Sequence, residues 1–338
     1  MNTKDAKYAK YALVREMCQT PSVVAGSLND QAAGAGSMIC EAGRVLLTGE
    51  GSSRIFPAKS AIAAALRLGL PAHVVTEGAT QALEYKLDDY VVFGASNSGQ
   101  TKEVIRLFDK LAKAGHKKLF GLTANRNTRL ESIAARTFVL SCGKEDAVAA
   151  TKSVVEQALF YRGLIAWLAG DTLGSALKNL AGAIEQALAL PIDPAITAAV
   201  AKAGVIHFAG SNDGVAEELT LKTNEITRKK SDFLEGTYAV HGIEEVMDAD
   251  DVVIVVNPFE AECEKFKQVL VDGVGMKVFA IATAPTIFPT IVIPDAGVMG
   301  GFVALAAGWN LLVEVGLALG VDLDKPVRAR KVGNEFIG

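Results

Sequence analysis

Cysteine is scarce in this 338-residue chain, and Cys18, Cys40, Cys142 and Cys263 stand too far apart for any CxxC spacing. That excludes a thioredoxin-like redox motif and points to reduced, buried thiols, as in a cytoplasmic protein. Only four histidines are present, and they do not cluster with the cysteines. No metal and no cofactor are therefore expected. Positive charge is not in excess: 34 Lys and Arg face 38 Asp and Glu, for a net charge of −4. This disfavours a nucleic-acid surface and any polybasic membrane attachment. The opening Met-Asn-Thr-Lys-Asp-Ala-Lys contains no apolar run, so no signal peptide is expected. The most hydrophobic stretch, Phe302 to Val321, carries Asn310 and Glu314, which favours a buried helix over a membrane span. With half its residues apolar and 21% charged, the chain reads as globular and long enough for two domains.

What is present is a strand that runs into a hydroxyl-rich turn. Val91-Val92-Phe93-Gly94-Ala95 leads straight into Ser96-Asn97-Ser98-Gly99-Gln100-Thr101, and an amphipathic helix follows. A helix N-terminus offers unpaired backbone N–H groups, and its dipole favours an anion by about 0.3–1 kcal/mol at exposed sites. Gly99 allows close approach of the backbone, while Ser96, Ser98 and Thr101 offer uncharged donors. The same residue types are also ordinary N-capping material. The loop has neither the lysine of a P-loop nor the spacing of a dinucleotide fingerprint. A second turn shifts the balance. Strand-like Arg44 to Thr48 is followed by Gly49-Glu50-Gly51-Ser52-Ser53 and a helix from about Pro57. Two such turns at strand ends of one open sheet converge on one crevice. A small phosphorylated ligand is expected, held by dipoles and hydroxyls rather than by a positive face.

Residues 1–40 read as helix, broken at Pro21 and again by glycines around 34–36. From 44 onward, strand-like runs at 44–48, 72–76, 90–95, 118–123 and 137–141 alternate with helices near 57–69, 101–115, 128–135 and 149–169. Such alternation means βαβ units and a parallel sheet covered on both faces. Pro191-Ile192-Asp193-Pro194 punctuates the chain, and the pattern then restarts. Val205 to Ser211, Asp251 to Asn257 and Lys277 to Ala282 repeat the earlier order of strands, which predicts a duplicated α/β domain. The second half lacks the anion turn, because Asn257-Pro258-Phe259-Glu260 replaces Ser96 to Thr101. The expected organisation is a helical segment over 1–40, a doubly wound phosphate-binding domain over 41–175, a second doubly wound domain over 191–320, and a tail over 321–338.

These features resemble the tandem sugar-isomerase (SIS) family, in particular the isomerase half of glutamine–fructose-6-phosphate aminotransferase and its stand-alone relatives. Arg15 to Pro21 is similar to the family's opening helix segment. Gly51-Ser52-Ser53 resembles its first binding turn, and Ser96 to Thr101 its phosphate loop. Val148-Ala149-Ala150-Thr151-Lys152 resembles the stretch whose backbone lines the sugar, and Asp322 to Lys331 the segment carrying a sugar-contacting lysine. The resemblance places the proton-transfer glutamate at Glu225, the ring-opening histidine at His241 and the C-terminal lysine at Lys331. It implies substrate contacts from Gly51, Ser52, Ser53, Ser96, Asn97, Ser98, Thr101 and Val148. Lys222 stands three residues before Glu225, on the same helix face. Thr237 to Ile243 differs from the family's usual Gly-Glu and Lys-His-Gly-Pro surroundings of the histidine.

The implied chemistry moves a carbonyl between C1 and C2. One group takes a proton from one carbon and returns it to the next, work that suits a carboxylate with a pKa raised by burial. An imidazole can shuttle the ring-opening proton near pH 7, and a lysine can hold an oxyanion or form an imine. The resemblance therefore implies an aldose–ketose isomerase of sugar phosphates, which could also deaminate glucosamine 6-phosphate to fructose 6-phosphate and ammonia. Lacking a glutaminase domain and a cysteine after Met1, it is expected to have no glutaminase activity. A fructosamine-6-phosphate deglycase uses the same base. A non-catalytic sugar-phosphate sensor is the alternative from another class, although no helix-turn-helix is evident. The family also implies a homodimer in which the histidine can come from the neighbouring chain.

Overall fold

The computed structural model describes residues 1–27 and 33–329. These residues fall into two bodies. One is built from residues 22–145 and 150–177, the other from residues 1–21, 146–149 and 178 onward.

The first body holds a five-stranded parallel sheet of β1 (Arg44–Gly49), β2 (His73–Gly78), β3 (Val91–Ala95), β4 (Leu119–Thr123) and β5 (Arg136–Val139), in the order β2-β1-β3-β4-β5. All five lie where the β-branched and aromatic runs predict them. Side chains alternate across a strand, and both faces are apolar. Val45, Leu47, Val91, Phe93 and Phe138 pack under the Ile55–Arg67 and Lys152–Leu168 helices. Leu46, Val92 and Leu119 pack under the Lys102–Lys113 helix through Val104, Leu107 and Phe108. Five rings, Phe93, Phe120, Phe138, Phe160 and Tyr161, fill the first of these faces with centroids 4.8–6.3 Å apart.

The second body repeats the plan with β6 (Val205–Gly210), β7 (Lys230–Glu235), β8 (Val252–Val256), β9 (Lys277–Ala282) and β10 (Thr290–Val292), again parallel, in the order β7-β6-β8-β9-β10. The duplicated α/β fold is therefore present. The Val215–Thr227 helix covers one face together with the Gly300–Ala318 helix. The other face is covered by Ala239, Val240, Cys263, Phe266 and Leu270. The Gly300–Ala318 helix is apolar and long enough to cross a membrane, yet its Trp309 and Asn310 are fully buried in this body.

Two expectations about residues 1–40 are corrected. Pro21 lies inside the Ala12–Ala25 helix rather than ending it. Proline removes one N–H donor, but the following turn still closes, with Gly26 N donating to Ser22 O at 3.0 Å. The glycines around 34–36 do not break the Ala33–Ala42 helix. A Cβ at Gly36 would come within 2.1 Å of the Trp167 ring, so Gly36 is there to let the helix approach that ring.

In β6, His207 is buried and neither ring nitrogen makes a hydrogen bond. Burial pushes its pKa below the ordinary value of 6.5, against the pull of Asp251 and of Asp232, its register partner on β7. Between the folded and unfolded pKa values the unfolded chain binds more protons, so stability rises with pH there. His207's contribution is complete above about 6.5 and is lost as pH falls through the lower, folded value. Urea unfolding of wild type between pH 5 and 7.5 is expected to show this slope, and His207→Leu to flatten it. Equal slopes for the two proteins would contradict the assignment.

Candidate functional site

In the first sheet, β1 and β3 are neighbours, but the helices that follow them cover opposite faces. The loops after the two strands therefore part, leaving a crevice at the carboxyl edge, where ligands bind in open α/β sheets. Gly51, Ser52 and Ser53 form a tight helical turn after β1, and Ser96 to Thr101 form the loop after β3. The structure thus brings the two predicted binding segments to one edge of one sheet.

The loop after β3 does not use its hydroxyls as helix caps. Thr101 is the N-cap residue of the Lys102–Lys113 helix yet makes no side-chain cap bond. Its Oγ1 lies 2.7 Å from Ser96 Oγ, which also accepts from Thr101 N at 3.3 Å. Ser98 Oγ accepts from Gln100 N at 3.1 Å. The N–H groups of Asn97 and Ser98 take no partner among the described residues, and the first helical N–H groups have none by geometry. The Ile55–Arg67 helix likewise lacks a side-chain cap. By contrast, Thr128 and Asp193 cap helices elsewhere in the ordinary way. Donors and a positive dipole end thus face the first crevice without internal partners, an arrangement complementary to an anion. Gly99 closes the turn at φ +67°, and a Cβ there would lie 2.5 Å from Thr128.

Buried carboxylates hold the segment that follows β5. Glu156 accepts from Ser141 N, Ser141 Oγ and Cys142 N at 2.6–2.8 Å. Glu145 accepts from Thr151 N at 2.8 Å and from Asn97 Nδ2 of the anion loop at 2.8 Å. Gln157 Nε2 approaches Ser53 Oγ at 3.5 Å. Glu50, beside the first turn, points to β2 and accepts from Ala79 N at 2.9 Å. Burial raises the Glu50 pKa, and the Ala79 amide opposes that rise. Val148 is half-buried in the 146–149 segment, which belongs to the second body. There Glu16 accepts from the backbone N–H groups of Asp146 and Ala147.

In the second body, Lys222 and Glu225 lie on the Val215–Thr227 helix as expected. Lys222 is fully buried, with its ammonium 2.7 Å from Glu225 Oε2 and 3.4 Å from Glu218 Oε1. Glu218 is fully buried, whereas the Glu225 side chain is 23% exposed. Glu225 is thus the member of the row that a solute can reach, and it is held in place by a buried cation. His241 is exposed and its Nε2 lies 3.4 Å from Lys265 Nζ. The structure does not bring His241 to Glu225. His241 follows Ala239 and Val240, which pack with Cys263 and Phe266 on one face of the second sheet, while the helix bearing Glu225 covers the other. The pair is also offset along the strands, since Glu225 ends the helix that precedes β7 and His241 follows β7. Lys331 lies outside the described residues.

The second sheet's own switch point carries no anion loop. Gly210, Gly236, Phe259, Phe266 and Phe288 surround a void of only about 10 Å³. An open cavity of about 600 Å³ lies beside it, lined by Asn257, Glu260, Glu264, Thr283 and Thr286 among others.

Reading along the sequence does not single out Glu145, Glu16, Glu156 or Glu218. Each sits among ordinary polar and charged neighbours, and only the fold shows that it is buried against backbone N–H groups or an ammonium.

Two doubly wound sheets in tandem, one with a hydroxyl-lined, uncapped loop at its switch point, define an α/β protein with a candidate anion site. Residues 38–166 of the chain match the SIS domain family. No curated protein matches its sequence. Among solved structures, it is similar to tagatose-6-phosphate ketose/aldose isomerase from Escherichia coli (TM-score 0.80, 18% identity, covering 96% of this chain and 99% of that one). It is also similar to the C-terminal domain of glucosamine-fructose-6-phosphate aminotransferase from Francisella tularensis (0.76, 19%, 94% and 98%). A third match is glucosamine-6-phosphate deaminase from Thermotoga maritima (0.68, 18%, 93% and 98%). At these identities the likeness establishes the fold.

Removing the cation from the Glu218–Lys222–Glu225 row leaves buried Glu218 without its ammonium. Lys222→Met is expected to destabilise the protein by about 3–5 kcal/mol in urea unfolding. Glu225→Gln, at the partly exposed end of the row, is expected to cost far less. A Lys222→Met loss below about 1 kcal/mol would contradict a structural ion pair.

Proposed function

We propose that the chain is an aldose–ketose isomerase of hexose or amino-hexose 6-phosphates. The observation that carries this reading is the loop after β3, where Ser96 and Thr101 bond each other and leave the helix N-terminus uncapped. A phosphate fits such a site, because backbone N–H groups, hydroxyls and a helix dipole all favour a tetrahedral anion. Ser96, Asn97, Ser98 and Thr101, with Gly51, Ser52 and Ser53, are the proposed anion and sugar contacts, and Val148 offers backbone to the sugar.

Glu225 is the proposed base. Its carboxylate removes the proton from C2 of the open-chain aldose, giving a cis-enediol, and the same proton is returned at C1 as the carbonyl moves to C2. Lys222 holds that carboxylate in place. With a 2-amino substrate, the same enolisation yields an imine at C2. Water then adds and ammonia leaves, so glucosamine 6-phosphate plus water becomes fructose 6-phosphate plus ammonia. From a fructosamine 6-phosphate, with its amine on C1 and its carbonyl at C2, the proton moves from C1 to C2 and the imine forms at C1. Water adds and the larger amine departs, giving an aldose 6-phosphate, which keeps a deglycase among the readings. His241 is proposed to open the ring. Because it lies across the sheet from Glu225, the proposal places it in the site of a second copy within a homodimer. Lys331 is the proposed sugar-contacting lysine.

The test is turnover of a panel of hexose and 2-amino-hexose 6-phosphates, with ketose and ammonia followed together. Glu225→Gln is expected to lower kcat by about 10²- to 10⁴-fold, the usual worth of a general base, while binding changes little. Ketose with equimolar ammonia identifies a deaminase, and ketose alone an isomerase. Mixing inactive Glu225→Gln and His241→Gln proteins is expected to restore activity, because a mixed dimer regains one intact site. Binding without turnover, unaltered in Glu225→Gln, would replace the enzyme reading with the sensor.

A further inference from the structure

We propose that Glu145 is a positioning residue that sets the shape of the anion loop by acting through Asn97. The inference rests on the reading of that loop as the anion site and extends it to a residue outside the loop. Glu145 is 1% exposed and sits in the irregular segment between β5 and the Lys152–Leu168 helix. Its Oε1 accepts from Thr151 N at 2.8 Å, Thr151 Oγ1 at 3.2 Å and Ser153 N at 3.4 Å. Its Oε2 accepts from Ser153 Oγ at 2.5 Å and Asn97 Nδ2 at 2.8 Å. A carboxylate offers about four lone-pair sites, and five donors converge on the two oxygens of Glu145 by sharing them.

Asn97 is the point where this cluster meets the loop. Its Nδ2 is shared between Glu145 and Ser153 Oγ, the latter at 3.1 Å. Its backbone carbonyl accepts from Ala124 N at 3.1 Å, Thr123 Oγ1 at 3.0 Å and Asn125 Nδ2 at 2.8 Å. With its side chain and its carbonyl both clamped, the peptide that follows has little freedom. The N–H groups of Asn97 and Ser98, which take no partner within the described residues, are held in one orientation by these bonds. Pre-orienting donors for an anion spares the loss of loop entropy on binding. The same carboxylate fixes Thr151 and Ser153 at the start of the helix whose Gln157 approaches Ser53 of the other turn. One residue thereby ties the loop after β3 to the helix that reaches the loop after β1.

Glu145→Gln keeps the size of the side chain but replaces one acceptor oxygen with an NH₂ donor, which meets Asn97 Nδ2 or Thr151 N as donor against donor. Asn97→Ala cuts the link at its loop end, together with the Nδ2 bond to Ser153 Oγ, and leaves the bonds of Glu145 to Thr151 and Ser153 in place. Two measurements read these variants, amide hydrogen exchange across the protein and titration calorimetry with inorganic phosphate and with fructose 6-phosphate. Charge-assisted hydrogen bonds are worth enough that loss of the Asn97 link is expected to raise Kd about tenfold. Amides of residues 96–101 are expected to exchange about tenfold faster while those of β1, β3 and β4 keep wild-type protection. A role confined to overall stability would accelerate the strands as well, and that outcome overturns the proposal. The double variant is expected to bind no more weakly than the weaker single one, because both break one link. Wild-type exchange at 96–101 together with wild-type Kd in Asn97→Ala also overturns it, and that variant decides the matter if Glu145→Gln does not fold. Failure of the wild type to bind either anion would overturn the functional reading of the loop, while the exchange data would still decide the role of Glu145.

Discussion

The first sheet is governed by the order of its strands. With β1 and β3 side by side and their crossovers right-handed in opposite directions, the Ile55–Arg67 and Lys102–Lys113 helices must cover opposite faces. Two loops then separate at the carboxyl edge, and two helix N-termini open there. Every polar feature of the candidate anion site follows from that divergence. A loop at a switch point pairs with backbone on one side only, as Asn97 O does with Ala124 N, so its remaining N–H and C=O groups need partners from side chains or from a ligand.

Buried carboxylates meet part of that need. In the 141–153 stretch, Glu156 accepts from the consecutive N–H groups of Ser141 and Cys142, Glu16 from those of Asp146 and Ala147, and Glu145 from the N–H groups of Thr151 and Ser153. The stretch is irregular but not loosely held. Where carboxylates and hydroxyls satisfy a loop internally, its geometry is set before any ligand arrives. Where donors are left over, as at Asn97 and Ser98, the loop is open to a ligand that accepts from them. The second sheet shows the opposite outcome from the same topology. Phe259, Phe266 and Phe288 line a void of only about 10 Å³ there, and Asn257-Pro258-Phe259-Glu260 follows β8 where Ser96 to Thr101 follows β3.

Legibility in the sequence followed burial. Central strands such as Val91–Ala95 and Val252–Val256 are buried on both faces and read as uninterrupted apolar runs. The edge strand Lys230–Glu235 is half exposed, and its Lys-Ser-Asp start reads as a loop; the three residues of Thr290–Val292 are too few to show a period. Proline and glycine misled in residues 1–40, because Pro21 and Gly36 are carried within helices whose packing outweighs local preference. The hydroxyl-rich loop after β3 was legible as a candidate anion site because its chemistry is local and contiguous. Glu145 was not, since its meaning comes from donors at Asn97, Thr151 and Ser153 that only the fold assembles. Glu225 and His241 are separated by a single strand in sequence, and nothing in that spacing reveals that the strand's sheet lies between them.

The central claim is that an anion sits at the N-terminus of the Lys102–Lys113 helix. A crystal structure of the protein soaked with fructose 6-phosphate tests it most directly. The account predicts the phosphate against the backbone N–H groups of Asn97 and Ser98 and within hydrogen-bond reach of the Ser96, Ser98 and Thr101 hydroxyls. Phosphate bound instead in the 600 Å³ cavity beside Asn257 and Thr283, with the loop after β3 empty, would contradict it.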